Sequence, residues 1–156
     1  MNKWIRWLIF LSAVMLLFGA ELAFLPGTMH DTLFIPLFEA TQDGSLAAFD
    51  VAQTDFLYWL YGITGGVMMG WFALVIWLVH VPFRRSERWA WSALAAAVVI
   101  WFVPDTYASL VNGATLNAVF NAVSLVGFGL PLLATYRHFQ HDERAAFSGK
   151  AAPSRG

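Results

Sequence analysis

The 156-residue chain contains no cysteine. That absence excludes disulfide bonds, thiolate metal sites, iron–sulfur clusters and covalently attached haem within this chain. Charged residues are also scarce, at 12% of the chain, whereas a soluble domain carries about a quarter. Hydrophobic residues make up 59% and the mean hydropathy is +0.61, so the composition indicates a membrane protein.

Four apolar runs are each long enough to cross a bilayer, which takes about 20 residues in a helix. These runs cover residues 4–25, 56–81, 89–111 and 114–136. They predict an all-α polytopic protein, an up-down bundle of four transmembrane helices within residues 1–139. Residues 26–55 are expected to form a partly helical outer loop that covers the bundle mouth, with Ser45 as a helix N-cap. Residues 140–156 are predicted to be a flexible tail.

All nine basic residues fall on one side of this four-span arrangement. They precede the first span, separate the second from the third, and follow the fourth: Lys3, Arg6, Arg84, Arg85, Arg88, Arg137, Arg144, Lys150 and Arg155. By the positive-inside rule we expect both termini in the cytoplasm and the chain in a bacterial cytoplasmic (inner) membrane. No further basic stripe exists, so the expected partners are membrane lipids and not nucleic acid. A membrane-protein partner or a homo-oligomer is left open.

Glycine recurs at every fourth position inside the second span, at Gly62, Gly66 and Gly70. Small residues at this spacing remove side chains from one helix face, so that a neighbouring backbone can come close. We expect this ridge to pack against another helix of the same chain. Homodimerisation through the ridge is the alternative.

The third and fourth spans each carry a polar stripe in their outer halves. The spacing i, i+4, i+7 places on one helix face first Asp105, Ser109 and Asn112 and then Asn117, Asn121 and Ser124. Because the turn between these spans is short, the helices must be antiparallel, and Asp105 should lie at about the depth of Asn121. The two stripes are therefore expected to meet, near a kink at Pro104.

The same arrangement gathers polar side chains in the outer leaflet as a candidate ligand-binding cluster: Glu21, Tyr58, Tyr61, Asp105, Tyr107, Asn117 and Asn121. Ionisable residues inside a membrane are candidates for function, because burying them is costly. Two carboxylates with tyrosines and amides could relay a proton, act as an acid/base pair or hold the head group of a lipophilic ligand. The structural alternative is that asparagine and serine only join helices and that Asp105 caps a helix broken at Pro104.

Histidines offer a different cofactor hypothesis. His80 and His138 lie at the cytoplasmic ends of the second and fourth spans, where a bis-histidine haem b is conceivable. The simpler interpretation is that they are cations at helix C-termini. His138 and His141 alone are too few to hold a metal ion, and we assign no metal site. No catalytic residue is assigned either, since no nucleotide-binding loop, nucleophile elbow or zinc-helix motif occurs.

The first span has a basic start at Arg6, Gly19 near its end and a Leu-x-x-x-Pro exit at Pro26, and short spans follow it. In this pattern the chain resembles the DoxX-like group of small four-helix bacterial inner-membrane proteins. The glycine-rich stretch 62–71, the Arg-Trp-x-Trp start of the third span and Pro104-Asp105 resemble uncharacterised bacterial membrane proteins of that build. The resemblance implies a fold and a location, and it carries over no catalytic residue.

Two classes of function follow. The first is a non-enzymatic accessory or assembly protein, or a module that binds a lipophilic ligand, consistent with close-packing glycines and the absence of a complete catalytic motif. The second is a membrane-embedded enzyme or proton-coupled carrier that uses Asp105 and Glu21. Carriers usually show inverted repeats, which two helix pairs with a single proline-interrupted helix match poorly.

Overall fold

The computed structural model describes residues 1–39 and 49–150, without the side chains of Glu39 and 140–150. The helices are α1 (Asn2–Phe24), α2 (Pro26–Met29), α3 (Ile35–Glu39), α4 (Val51–Leu78), α5 (Arg88–Val111) and α6 (Thr115–Lys150), with π-helical segments at His30–Phe34 and Val79–Phe83. Four stretches are long and apolar enough to span a membrane: Asn2–Phe24, Val51–Phe83, Arg88–Val111 and Thr115–Phe139. The all-α, four-helix fold is thus confirmed. Ser45, the expected N-cap, lies outside the described residues.

Helices α1 and α4 form the most extensive pair. The buried residues of α1 alternate in steps of three and four: Ile5, Leu8, Ser12, Met15, Gly19 and Leu22. The facing residues of the second span follow the same steps: Gly65, Met68, Phe72 and Val75 in α4, and Val79 in the π-helical segment after it. This spacing keeps one seam facing the partner along the whole length of an antiparallel pair, as in a left-handed coiled coil.

The backbones of α1 and α4 come closest where Gly19 meets Gly65. A Cβ atom added at Gly65 would lie 2.5 Å from the Ala23 nitrogen, and one added at Gly19 would lie 2.9 Å from the Met68 Cβ. By contrast, a Cβ at Gly62, Gly66 or Gly70 meets no atom of the described residues within 4 Å. The prediction that the ridge of Gly62, Gly66 and Gly70 packs within the chain is therefore wrong. The ridge lies on a different face of α4 from Gly65, and its role in a homodimer stays a prediction.

Helices α5 and α6 form the second hairpin, which contacts the first mainly near the end that carries the N-terminus. Trp91 Nε1 donates to the Leu132 carbonyl at 2.8 Å within this hairpin. Between the hairpins, Trp7 Nε1 donates to the Gly127 carbonyl at 3.0 Å, and the Phe83 and Phe139 rings lie 4.7 Å apart. The apolar core is consequently concentrated in the half of the bundle that bears the basic residues.

Two helix boundaries and one internal feature differ from the sequence-based expectations. Helix α4 begins at Val51, because Asp50 and Gln53 form a reciprocal capping box. Helix α5 continues through Pro104, so Asp105 does not cap a broken helix. The backbone of α6 remains helical to Lys150, past the boundary predicted at residue 139, and the flexibility of residues 140–156 stays a prediction.

Candidate functional site

The carboxylate of Asp105 is the centre of a hydrogen-bonded group between α5 and α6. Its Oδ1 accepts from Asn117 Nδ2 at 2.9 Å, from Asn121 Nδ2 at 3.0 Å and from Ser109 Oγ at 3.3 Å. Its Oδ2 accepts from Trp101 Nε1 at 3.1 Å. We call this set, together with Thr106, the Asp105 cluster. The expected meeting of the two polar stripes is confirmed by these contacts.

The local sequence explains why these side chains meet. Trp101, Asp105 and Ser109 are each four residues apart, so they share one face of α5. Gly113 has a φ of 74°, a conformation that few residues other than glycine adopt, and it allows the chain to reverse within a short turn. Asn117 then lies opposite Ser109, where its Nδ2 donates to the serine Oγ at 2.7 Å.

The Asp105 cluster has neutral donors and a buried side formed by Asn121 and Ser109, whereas Asp105 is partly exposed and Asn117 is exposed. Asn121 is 1% exposed and Ser109 is 5% exposed, and Asn121 Nδ2 also lies 3.3 Å from Thr106 Oγ1. Within the described part of the chain, no basic side chain contacts the carboxylate. Indole, hydroxyl and amide groups supply all of the hydrogen bonds observed at this partly exposed carboxylate.

The tyrosines expected beside Asp105 lie elsewhere, in a second group that we call the His30 cluster: His30, Phe34, Tyr58 and Tyr61. His30 is 3% exposed, and its Nδ1 lies 3.4 Å from the Tyr61 hydroxyl. The Phe34 ring stacks on Tyr61 with centroids 4.5 Å apart, and the His30 and Tyr58 rings meet edge to face at 5.5 Å. These contacts hold the helical segment after α1 against α4.

The remaining members of the predicted cluster do not join either group. Glu21 is exposed on α1, and Tyr107 is 68% exposed on α5. Among the described residues, no hydrogen bond connects Glu21 to Asp105 or links the His30 cluster to the Asp105 cluster. The described contacts therefore place the tyrosines and Asp105 in separate groups on different hairpins, and one shared pocket stays a prediction. Ligand binding by the individual residues stays a prediction.

Sequence reasoning missed His30, Trp101 and Thr106. Trp101 precedes Asp105 by four residues, so helical spacing alone could have identified it. His30 carried no such signal. Its position depends on how the chain turns after Leu25, where α1 ends and Pro26 begins the next helix.

The histidines proposed as haem ligands have distinct surroundings. His138 Nε2 and Ser86 Oγ form a hydrogen bond at 3.0 Å, which occupies a nitrogen that would otherwise be free to bind iron. His80 is exposed on the π-helical segment that ends the second span. Among the side chains that the structure describes, those of residues 1–38 and 49–139, no group of three metal-ligating residues is found. Haem b stays a hypothesis that an absorption spectrum of the purified protein tests.

Comparisons with protein-family models, with curated proteins and with solved structures found no match. The resemblance to the DoxX-like group consequently rests on the sequence pattern alone. Any function must be inferred from the geometry of this chain.

Proposed function

We propose that this chain is a non-enzymatic accessory or assembly protein, in which the Asp105 cluster holds α5 against α6. The observation that carries the proposal is that both carboxylate oxygens accept hydrogen bonds from neutral donors, three of them at 3.1 Å or less. An acid that works on a substrate or exchanges protons needs an oxygen that is available to them. A structural role in joining helices fits these contacts better.

We also propose a bacterial cytoplasmic membrane as its location, with both termini in the cytoplasm. This rests on the positive-inside rule, since in the sequence all nine lysines and arginines fall on the side of the four spans that holds both termini. Fusions of a periplasmic reporter and a cytoplasmic reporter at residues 84–88 test the orientation. Activity of the cytoplasmic reporter is expected, and activity of the periplasmic one would reverse the topology.

Two substitutions at Asp105 separate a structural role from a chemical one. Asp105→Asn keeps the shape and one acceptor oxygen, so the protein should fold with a modest loss of stability. Asp105→Ala leaves the donors of Trp101, Asn117 and Asn121 without this acceptor, and for the buried Asn121 amide the loss costs about 1–3 kcal/mol. Thermal unfolding in detergent and identification of co-purifying proteins and lipids are measured on both variants. Glu21→Gln, on an exposed residue outside both clusters, is the control.

A structural role predicts that co-purifying partners are lost only in proportion to the loss of stability. A different result would favour the alternative functions: a membrane-embedded enzyme, a carrier or a ligand-binding protein. If Asp105→Asn unfolds at the wild-type temperature but loses a bound lipophile, or abolishes proton flux in proteoliposomes, the carboxylate is a working acid and our proposal is wrong.

A further inference from the structure

A groove at the basic end of the bundle combines cationic and aliphatic side chains. It lies between α1 and the π-helical end of the second span, has a volume of about 330 Å³, and is lined by Asn2, Ile5, Arg6, Ile9, His80 and Arg84. The lining contains no aspartate or glutamate. In the part of the chain that the structure describes, the guanidinium groups of Arg6 and Arg84 take part in no hydrogen bond or ion pair.

Two unpaired guanidinium groups in one groove favour a phosphate. Arginine stays charged at any physiological pH and presents several N–H donors in a plane, which suits a phosphate better than lysine does. Arg6 and Arg84 come from different helical segments, so an anion between them would also bridge the first and second spans. The positive-inside rule requires positive charge at this end, but it does not require that two arginines share a groove.

The aliphatic side chains show which kind of phosphate fits. Ile9 lies three residues deeper along α1 than Arg6, a distance of about 4.5 Å at the rise of an α-helix. Arg6 also lines a neighbouring open groove of about 370 Å³ with Lys3, Trp7 and Phe10. Phe10 is 61% exposed, again deeper than the arginine. Each groove therefore offers a cation at the membrane surface and an apolar surface below it.

We infer that the Arg6–Arg84 groove is a binding site for an anionic phospholipid, with the phosphate between the two guanidinium groups and an acyl chain along Ile5 and Ile9. Basic pockets at the ends of membrane helices bind such head groups by this combination of charge and apolar contact. The site lies at the opposite end of the bundle from the Asp105 cluster. It does not depend on the function proposed above.

The test compares variants of equal charge by native mass spectrometry in detergent with added lipid. Arg6→Gln combined with Arg84→Gln removes both groove cations. Arg85→Gln combined with Arg137→Gln removes two exposed arginines from the same end, outside the groove, and is the matched control. Binding of phosphatidylglycerol should weaken about fivefold for each groove arginine removed, and much less in the control.

Two further ligands distinguish the possible occupants. Phosphatidylcholine has the same chains without net charge, and it should bind equally weakly to all variants. Inorganic phosphate should not bind measurably to any variant, because it lacks the acyl chains. The inference is overturned if the control pair weakens phosphatidylglycerol binding as much as the groove pair, if phosphatidylcholine binds as well, or if inorganic phosphate alone fills the site.

Labelling of the wild-type protein answers the same question without a variant that has to fold. An arginine-specific dicarbonyl reagent is applied in nanodiscs with and without phosphatidylglycerol, and modified peptides are quantified. Anionic lipid should protect Arg6 and Arg84 several-fold more than Arg85 and Arg137. Equal protection of all four arginines would show a general surface effect and would overturn the site.

Discussion

Replacing Gly65 with alanine adds one methyl group at the tightest contact of the bundle. The added Cβ would lie 2.5 Å from the nitrogen and 3.0 Å from the Cα of Ala23, and it would also contact the carbonyl oxygen of Gly19. These are all backbone atoms, which cannot turn aside as a flexible side chain can. Helices α1 and α4 must therefore move apart or shift along each other.

The cost follows from this overlap. Overpacking a close contact typically destabilises a protein by about 1–3 kcal/mol. Lipid offers no compensating hydrophobic gain, since the separated helix faces would only exchange protein contacts for acyl chains. Alanine is a better helix former than glycine by about 1 kcal/mol in water, which acts in the opposite direction. A control at a second glycine in the same turn removes that contribution from the comparison.

Gly66→Ala is this control, because a Cβ at Gly66 meets nothing within 4 Å. Both variants gain the same helix propensity, so their difference measures packing against α1. We expect Gly65→Ala to be less stable than Gly66→Ala by about 1–3 kcal/mol. Unfolding by sodium dodecyl sulfate in mixed micelles can be followed through the fluorescence of the eight tryptophans. Equal stability of the two variants would refute the α1/α4 contact. A larger loss in Gly66→Ala would support the prediction that Gly62, Gly66 and Gly70 pack against another helix.

Two further substitutions test the clusters. Asn121→Ala removes an amide that is 1% exposed and leaves Asp105 with fewer donors, so we expect a loss of stability of about 1–3 kcal/mol in the same unfolding assay. The control is Asn112→Ala, which removes an exposed amide bonded within its own helix and should cost much less. Equal losses in the two variants would contradict the Asp105 cluster. Phe34→Ala removes the ring stacked on Tyr61, an interaction worth about 0.5–1.5 kcal/mol, and should speed hydrogen–deuterium exchange of residues 26–39 severalfold. Phe24→Ala, at a ring that is 73% exposed, should leave that exchange rate unchanged, and the docking of the segment is refuted if the two variants exchange alike.

The four spans could be predicted from the sequence because bilayer thickness fixes how long an apolar run must be. For the third span the predicted range 89–111 agrees with Arg88–Val111. The second span begins earlier than its apolar run suggested, since Val51–Gln53 is a polar-flanked first turn held by a capping box. The pair Asp50 and Gln53 was visible in the sequence as an N-cap signal.

The packing face of α4 could not be predicted in the same way. In a soluble protein the apolar residues of a helix identify its buried face. In lipid both faces are apolar, so hydrophobicity no longer identifies the packing face. The adjacent glycines Gly65 and Gly66 then indicate two different faces of α4 as the one that packs against a neighbouring helix. The fourfold spacing of Gly62, Gly66 and Gly70 favoured one face, whereas the alternating spacing of α1 selects the other.

The two clusters differ in predictability for a topological reason. Asp105 and Asn121 are joined by a short turn, which fixes the depth of one helix relative to the other. His30 and Tyr61 are separated by a connection that includes residues outside the described structure, and helical spacing says nothing about their contact. Polar pairing across a short turn can therefore be inferred from sequence, and pairing across a long connection cannot.

The two hairpins reach stable association by different physical means, and the distribution of glycine explains why. At the α1/α4 contact both helices carry a glycine, Gly19 and Gly65, so the backbones approach until dispersion contacts alone suffice. Helix α5 contains no glycine, so its backbone stays at the distance that side chains impose. Helix α6 has directed contacts with α5 in addition to its apolar packing, and the Asp105 cluster supplies them. A carboxylate inside an apolar helix is tolerable in this second hairpin because it provides the attraction that close packing provides in the first.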